Sequence, residues 1–145
     1  MINLYTNNPT IGKSDGTLVS QDHTQTSPLS VTLKTGQQKA VKIAVRCDQG
    51  FTAVEGAEIS LAYWDGQEYQ ATGGNIAKWY LALDDNYTDS DDALNKGTWE
   101  HTANITNAIT DKNTILWAKY DGQDDTTPMN DDKTAICIKA TVEAV

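Results

Sequence analysis

Imidazole, thiol and guanidinium groups are scarce in this 145-residue chain, which has two histidines (His23, His101), two cysteines (Cys47, Cys137) and one arginine, Arg46. Hydrolytic chemistry usually sets a base beside a nucleophile, and neither histidine is placed for that. His23 lies in a polar stretch, and His101 shares a strand-like segment with Trp99 and Ala103, where a hydrogen-bonded structural role is the commoner one. No GxSxG, HExxH, P-loop or GxGxxG pattern occurs. Carboxylates are plentiful, but none sits in the apolar setting that raises a glycosidase acid. The expectation is a protein that is not an enzyme and has no cofactor. Cys47 and Cys137 are too far apart in sequence for a paired CxxC zinc site, so two unpaired thiols are expected. No run of about 18 apolar residues is present, which excludes a membrane-crossing helix. The first residues lack the basic and apolar regions of a secretory signal, so synthesis in a cytoplasm without export by that route is expected. Positive charge is also short: Lys+Arg 11 against Asp+Glu 20 gives a net charge of −9, which opposes nucleic acid as a partner.

What is present is polar and β-patterned. Hydrophobic residues make up 39% of the chain and the mean hydropathy is −0.51. The length suits one domain. Residues 1–27 are rich in Thr, Asn, Ser, Gln and Asp, with few side chains to bury. They read as an extended N-terminal arm whose apolar residues Leu4, Tyr5, Ile11, Leu18 and Val19 would make assembly contacts. Residues 28–145 read as the folded domain.

From Pro28 onward, apolar and polar residues alternate with period two, as half-buried strands require. Leu29, Val31 and Leu33 alternate with Ser30, Thr32 and Lys34. Val41, Ile43, Val45 and Cys47 form one face of the next strand, and Ala57, Ile59, Leu61 and Tyr63 one face of the third. Asp65-Gly66 supplies a hairpin turn, with 67–72 as the return strand. Residues 75–83 place Trp79, Leu81 and Leu83 together, and 98–105 place Trp99, His101, Ala103 and Ile105 together. In 113–120, Ile115 and Trp117 oppose Leu116, Ala118 and Tyr120, as in a central strand. The last strand, 134–145, sets Ile136, Ile138 and Ala140 opposite Cys137 and Lys139. Residues 90–96 allow one helical turn at most. Seven to eight short strands separated by turn signals predict an all-β, antiparallel sandwich.

Two Asp-rich stretches surround Asp84 and Asp85, and Asp124 and Asp125. If both loops met at one pole, they would offer calcium its oxygen ligands, although neither has EF-hand spacing. The plainer reading is solvated, solubilising loops, with no metal. Trp79, Trp99 and Trp117 are in phase with aliphatic residues and read as core. Trp64 falls on the outer face beside Tyr63 and Tyr69, the one candidate platform for a host-surface glycan. Charge divides unevenly: residues 1–47 carry +3 and residues 48–145 carry −12. That asymmetry suits packing between copies.

The chain resembles the small immunoglobulin-like β-sandwich virion proteins of tailed bacteriophages, both head-decoration and tail-associated. The likeness rests on Asn3-Leu4-Tyr5-Thr6-Asn7-Asn8-Pro9, on Asp15-Gly16-Thr17-Leu18-Val19-Ser20, on Lys78-Trp79-Tyr80-Leu81-Ala82-Leu83-Asp84 with Gly97-Thr98-Trp99 after it, and on Thr127-Pro128-Met129-Asn130-Asp131. The antibody-type disulfide is absent, because 113–120 contains no cysteine. The resemblance implies a structural role in the virion after assembly in the host cytoplasm. Implied partners are further copies in a homo-oligomer such as a trimer, and major capsid or tail proteins. A tail-associated protein and a carbohydrate-binding module are the alternatives to a capsid decoration protein.

Overall fold

Alternation with period two becomes paired strands over most of the chain in the computed structural model, which describes residues 1–20, 28–128 and 130–145. In chain order the strands are β1 (Ile2–Thr6), β2 (Thr17–Leu18), β3 (Gln38–Cys47), β4 (Phe51–Thr52), β5 (Ala57–Trp64), β6 (Tyr69–Gln70) and β7 (Trp79–Leu83), then β8 (Ala103–Ile105), β9 (Thr114–Asp121), β10 (Thr134–Lys139) and β11 (Glu143–Ala144). A 3-10 turn, Ile76–Lys78, leads into β7, and helix α1 (Ser90–Lys96) lies between β7 and β8. A five-stranded sheet runs β2-β1-β3-β9-β7, a second sheet centres on β5 with β10, β6 and β8, and β11 pairs with β4. Every pairing is antiparallel. The expected antiparallel β-sandwich is therefore the fold.

The two faces of β9 show how the core divides. Leu116 and Ala118 point into the space between the sheets and join Ile43, Val45, Ile59 and Leu81. Ile115 and Trp117 point the other way, into a second cluster with Tyr5, Ala40, Ala44 and Ala93. Helix α1 roofs that second cluster, placing Ala93 against the sheet. At seven residues α1 exceeds the single turn expected. Its start is capped by the Asp89 side chain, which accepts the Asp92 N–H, and Asp91 and Asp92 face the positive end of the helix dipole. Lys96 closes the last turn on Asp92 at 2.8 Å. Packing holds this helix, and a seven-residue run shows no periodicity from which that packing could be read.

Residues 1–20 do not form a separate arm. β1 pairs with β3 from Ile2↔Cys47 to Tyr5↔Ala44, and Leu4 and Val19 are buried between the sheets. Tyr5 is buried on the opposite face under the Arg46 guanidinium, 3.5 Å from its ring centroid. The polar residues that suggested an arm form the turn-rich connection from β1 to β2, tied down by the buried Asn113. That side chain donates to Thr10 O at 2.9 Å and Asp15 Oδ1 at 2.8 Å, and accepts from Arg46 at 2.8 Å. The expected domain boundary at 27/28 thus does not separate residues 1–20 from the sandwich. Of the five assembly-arm residues, only Ile11 (61%) and Leu18 (48%) are substantially exposed. The rest of the expected arm, residues 21–27, lies outside the described residues.

Other strands are shorter than the pattern suggested. Residues 29–34 alternate but form no strand. The 98–105 stretch changes sheets: Glu100 bridges to Leu81 of β7, and three residues later β8 pairs with β5. That crossing takes Trp99 out of the inter-sheet core and onto the α1 cluster, and leaves His101 exposed. The final segment breaks after Lys139, so that β11 crosses to β4.

Candidate functional site

A groove of about 920 Å³ runs along the side of the sandwich where β10 forms the sheet edge. Ile2 and Leu4 of β1, Val19 just after β2, and Ile136 and Ile138 of β10 line it. Residues 28–35 line it without strand pairing, and Leu29 packs onto the core. Among the described residues β10 pairs on one side only, with β5. The opposite edge of a strand carries unpaired N–H and C=O groups, and such an edge is a template for another segment.

One end of the groove is aromatic and acidic. Trp79 and Tyr120 meet edge to face, with centroids 5.3 Å apart. Trp79 donates its indole N–H to Asp131 Oδ2 at 2.8 Å, and Thr134 donates its hydroxyl to the same oxygen at 2.6 Å. Tyr120 donates its hydroxyl to Asp125 Oδ2 at 2.8 Å. The second oxygen of Asp125 is in direct contact with Lys78 Nζ. Burial, reinforced by the charges of Asp131 and Asp121, holds the Tyr120 hydroxyl above the ordinary phenol range, so it remains a donor. The Asp125 side chain is 12% exposed and that of Lys78 34%.

The three candidate glycan residues separate. Trp64 and Tyr69 meet edge to face at 5.0 Å and both line the groove. Tyr63, adjacent to Trp64 in the strand, points to the other face. Its ring lies against Gly73 and Gly74, where an added Cβ would approach ring carbons to 2.8 and 2.5 Å. The calcium candidates also separate. Asp84 follows β7 and Asp124 and Asp125 follow β9, and because these strands are antiparallel neighbours the two loops lie at opposite ends of the pair. Asp84 instead accepts the Trp117 indole N–H at 3.0 Å. Among the described residues no group of three or more His, Cys, Asp or Glu side chains is arranged to hold a metal ion.

His101 places Nδ1 2.9 Å from Trp79 O and stacks on Tyr80 at 4.6 Å. Cys47 is buried in the inter-sheet core and Cys137 is half-buried. Both are free thiols, and burial raises both above the usual thiol range. Thiolate chemistry is therefore disfavoured at both. No described helix is long and apolar enough to cross a membrane.

Sequence reasoning missed Lys78, Tyr120 and Asn113 as polar centres. Lys78 and Asp125 are far apart in the chain, and only the β7–β9 pairing Trp79↔Tyr120 brings them together. No local spacing encodes that contact. No protein-family model, no curated protein and no solved structure matches the chain.

Proposed function

We propose that this chain is a non-enzymatic virion structural protein of a tailed bacteriophage, a capsid decoration protein acting through protein–protein contacts on the particle surface. The observation that carries the reading is the groove beside β10. It combines an apolar floor with, among the described residues, a strand edge paired on one side and a length of chain, 28–35, that has strand-like alternation without strand pairing. Such a site is shaped for a neighbouring polypeptide. Ile11 and Leu18, exposed on the β1–β2 side, add apolar contact area, and the acidic surface keeps unassembled copies apart in solution. The immunoglobulin-like assignment rests on the resemblance, which takes in head-decoration and tail-associated proteins alike.

Sedimentation of intact particles tests this reading. The chain is expected to co-sediment with them and to appear in their density map as a regular surface array. Its absence from purified particles overturns the proposal, and density confined to the tail replaces the capsid position by the tail-associated one. The Trp64–Tyr69 pair at the groove supports one alternative, a carbohydrate-binding module. That alternative predicts glycan-array binding that Trp64→Ala removes; equal background binding by both forms eliminates it.

A further inference from the structure

The contact between Lys78 and Asp125 is more than a surface ion pair in its surroundings. Its carboxyl group is nearly enclosed, it lies at the end of an apolar groove, and an edge-to-face Trp79–Tyr120 pair stands beside it. The two oxygens of Asp125 are differentiated: Oδ2 accepts the Tyr120 hydroxyl at 2.8 Å, and Oδ1 meets Lys78 Nζ. The amine thus touches one oxygen of a carboxyl whose other oxygen is already hydrogen-bonded, a geometry that meets the positional requirement for amide formation.

We propose that Lys78 and Asp125 condense to an intramolecular isopeptide bond, a self-catalysed modification that ties the start of β7 to the loop after β9. In the first step one proton passes from the Lys78 ammonium to the Asp125 carboxylate it touches, giving a neutral amine and acid. The Nζ lone pair then attacks Cγ. Tyr120 donates to Oδ2 as negative charge develops there, the role of an oxyanion-hole donor. The C–Oδ1 bond breaks, and Oδ1 leaves as water carrying two of the three ammonium protons. The third stays on the new amide nitrogen, and Oδ2 remains as the amide oxygen under Tyr120. No oxidant, reductant or cofactor is consumed. Two groups fixed in contact react as if at very high concentration, with effective molarities reaching roughly 10⁵–10⁸ M. This enables an amide condensation that free side chains in water do not undergo.

The bond would cross-link a stretch that otherwise depends on side-chain contacts. The segment after Asp125 leads along the groove into β10. A covalent tie at its base would hold the groove wall in place under mechanical load. The chemistry stands independently of the virion reading.

Intact mass of the folded full-length chain tests the proposal. The expected mass lies about 18 Da below that of the sequence, one water having been lost. Asp15-Gly16, Asp65-Gly66 and Asp121-Gly122 can also lose water by succinimide formation, so mass alone does not decide. Tandem mass spectrometry of a proteolytic digest is expected to yield one branched peptide joining the segments around Lys78 and Asp125. Lys78→Arg and Asp125→Ala should each restore the full mass and abolish the branched peptide, with circular dichroism confirming that both variants fold. Tyr120→Phe should slow formation of the branch after refolding. A folded wild-type chain of full mass, or one whose water loss persists in Lys78→Arg, overturns the isopeptide bond. A Tyr120→Phe chain that cross-links at the wild-type rate overturns the role assigned to that hydroxyl.

Discussion

The Asn113 side chain donates to Asp15 Oδ1 at 2.8 Å, joining the first residue position before β9 to the connection between β1 and β2. Asn113 is buried, and its amide also reaches Thr10 O while its oxygen accepts from Arg46. Replacing it by alanine removes the amide that ties Thr10, Asp15 and Arg46 together, and with it three hydrogen bonds. Asn113→Ala should therefore lower the urea midpoint clearly, at an unchanged slope. An unchanged midpoint would show that water replaces this hub at no cost.

The same hub makes stability depend on acid. Hydrogen bonds from Thr10, backbone first, hold Asp15 below its usual carboxylate value of 3.8. Backbone N–H groups of Glu68 and Gln67 do the same for Asp65, and Lys96 followed by Thr88 for Asp92. A carboxyl depressed in the folded state contributes stability above its unfolded pKa, and that contribution is lost as pH falls through the folded value. The melting temperature should therefore hold down to about pH 5 and fall below about pH 4. The Asp15→Asn variant should show a shallower fall, which a thermal melt series across pH would detect. A series identical to wild type would remove Asp15 from the account.

Gly56 marks another close approach. It has φ +79°, and a Cβ there would lie 1.8 Å from Ile105 O in β8. Backbone cannot yield as a flexible side chain can, so Gly56→Ala adds strain in a disfavoured conformation to a clash that pushes β8 from β5. The expected loss exceeds about 1 kcal/mol. Chemical denaturation measures it; a loss below that would mean the β8 pairing is loose.

How far the sequence could be read follows from the range of each interaction. Alternation in Val41, Ile43 and Val45, and in Leu116 and Ala118, is local, and those residues line the inter-sheet core as the pattern requires. Trp117 was recognisable as buried, but the pattern could not show that its face is covered by α1 rather than by the second sheet. A period count puts Trp99 on the face of Ala103 and Ile105, whereas the chain changes sheets between Glu100 and Ala103, and such a count assumes one continuous strand. The opening residues misled for a related reason: Asn113, which satisfies the polar turn after β1, is distant in sequence. The candidate groove is lined by at least six separated segments, and no spacing within any one of them encodes it.

The place of the first twenty residues has a direct experimental consequence. An accessory arm can be removed without harm to the domain, whereas β1 fills the sheet position beside β3 and buries Leu4 and Tyr5 on opposite faces. Loss of a fully buried leucine side chain alone costs about 2–5 kcal/mol, a large share of the stability of a domain this size. Removing residues 1–20 also strips the Arg46 guanidinium of the Tyr5 ring and of the Asp15 carbonyl, to which it donates at 2.6 Å. The truncated chain should show no cooperative thermal transition and should bind hydrophobic dye. A sharp melt near the wild-type temperature would restore the arm reading and require β1 to be dispensable. The smaller change Leu4→Ala separates these cases, because it leaves every backbone hydrogen bond of β1 intact and should lower the urea midpoint only if the strand belongs to the core.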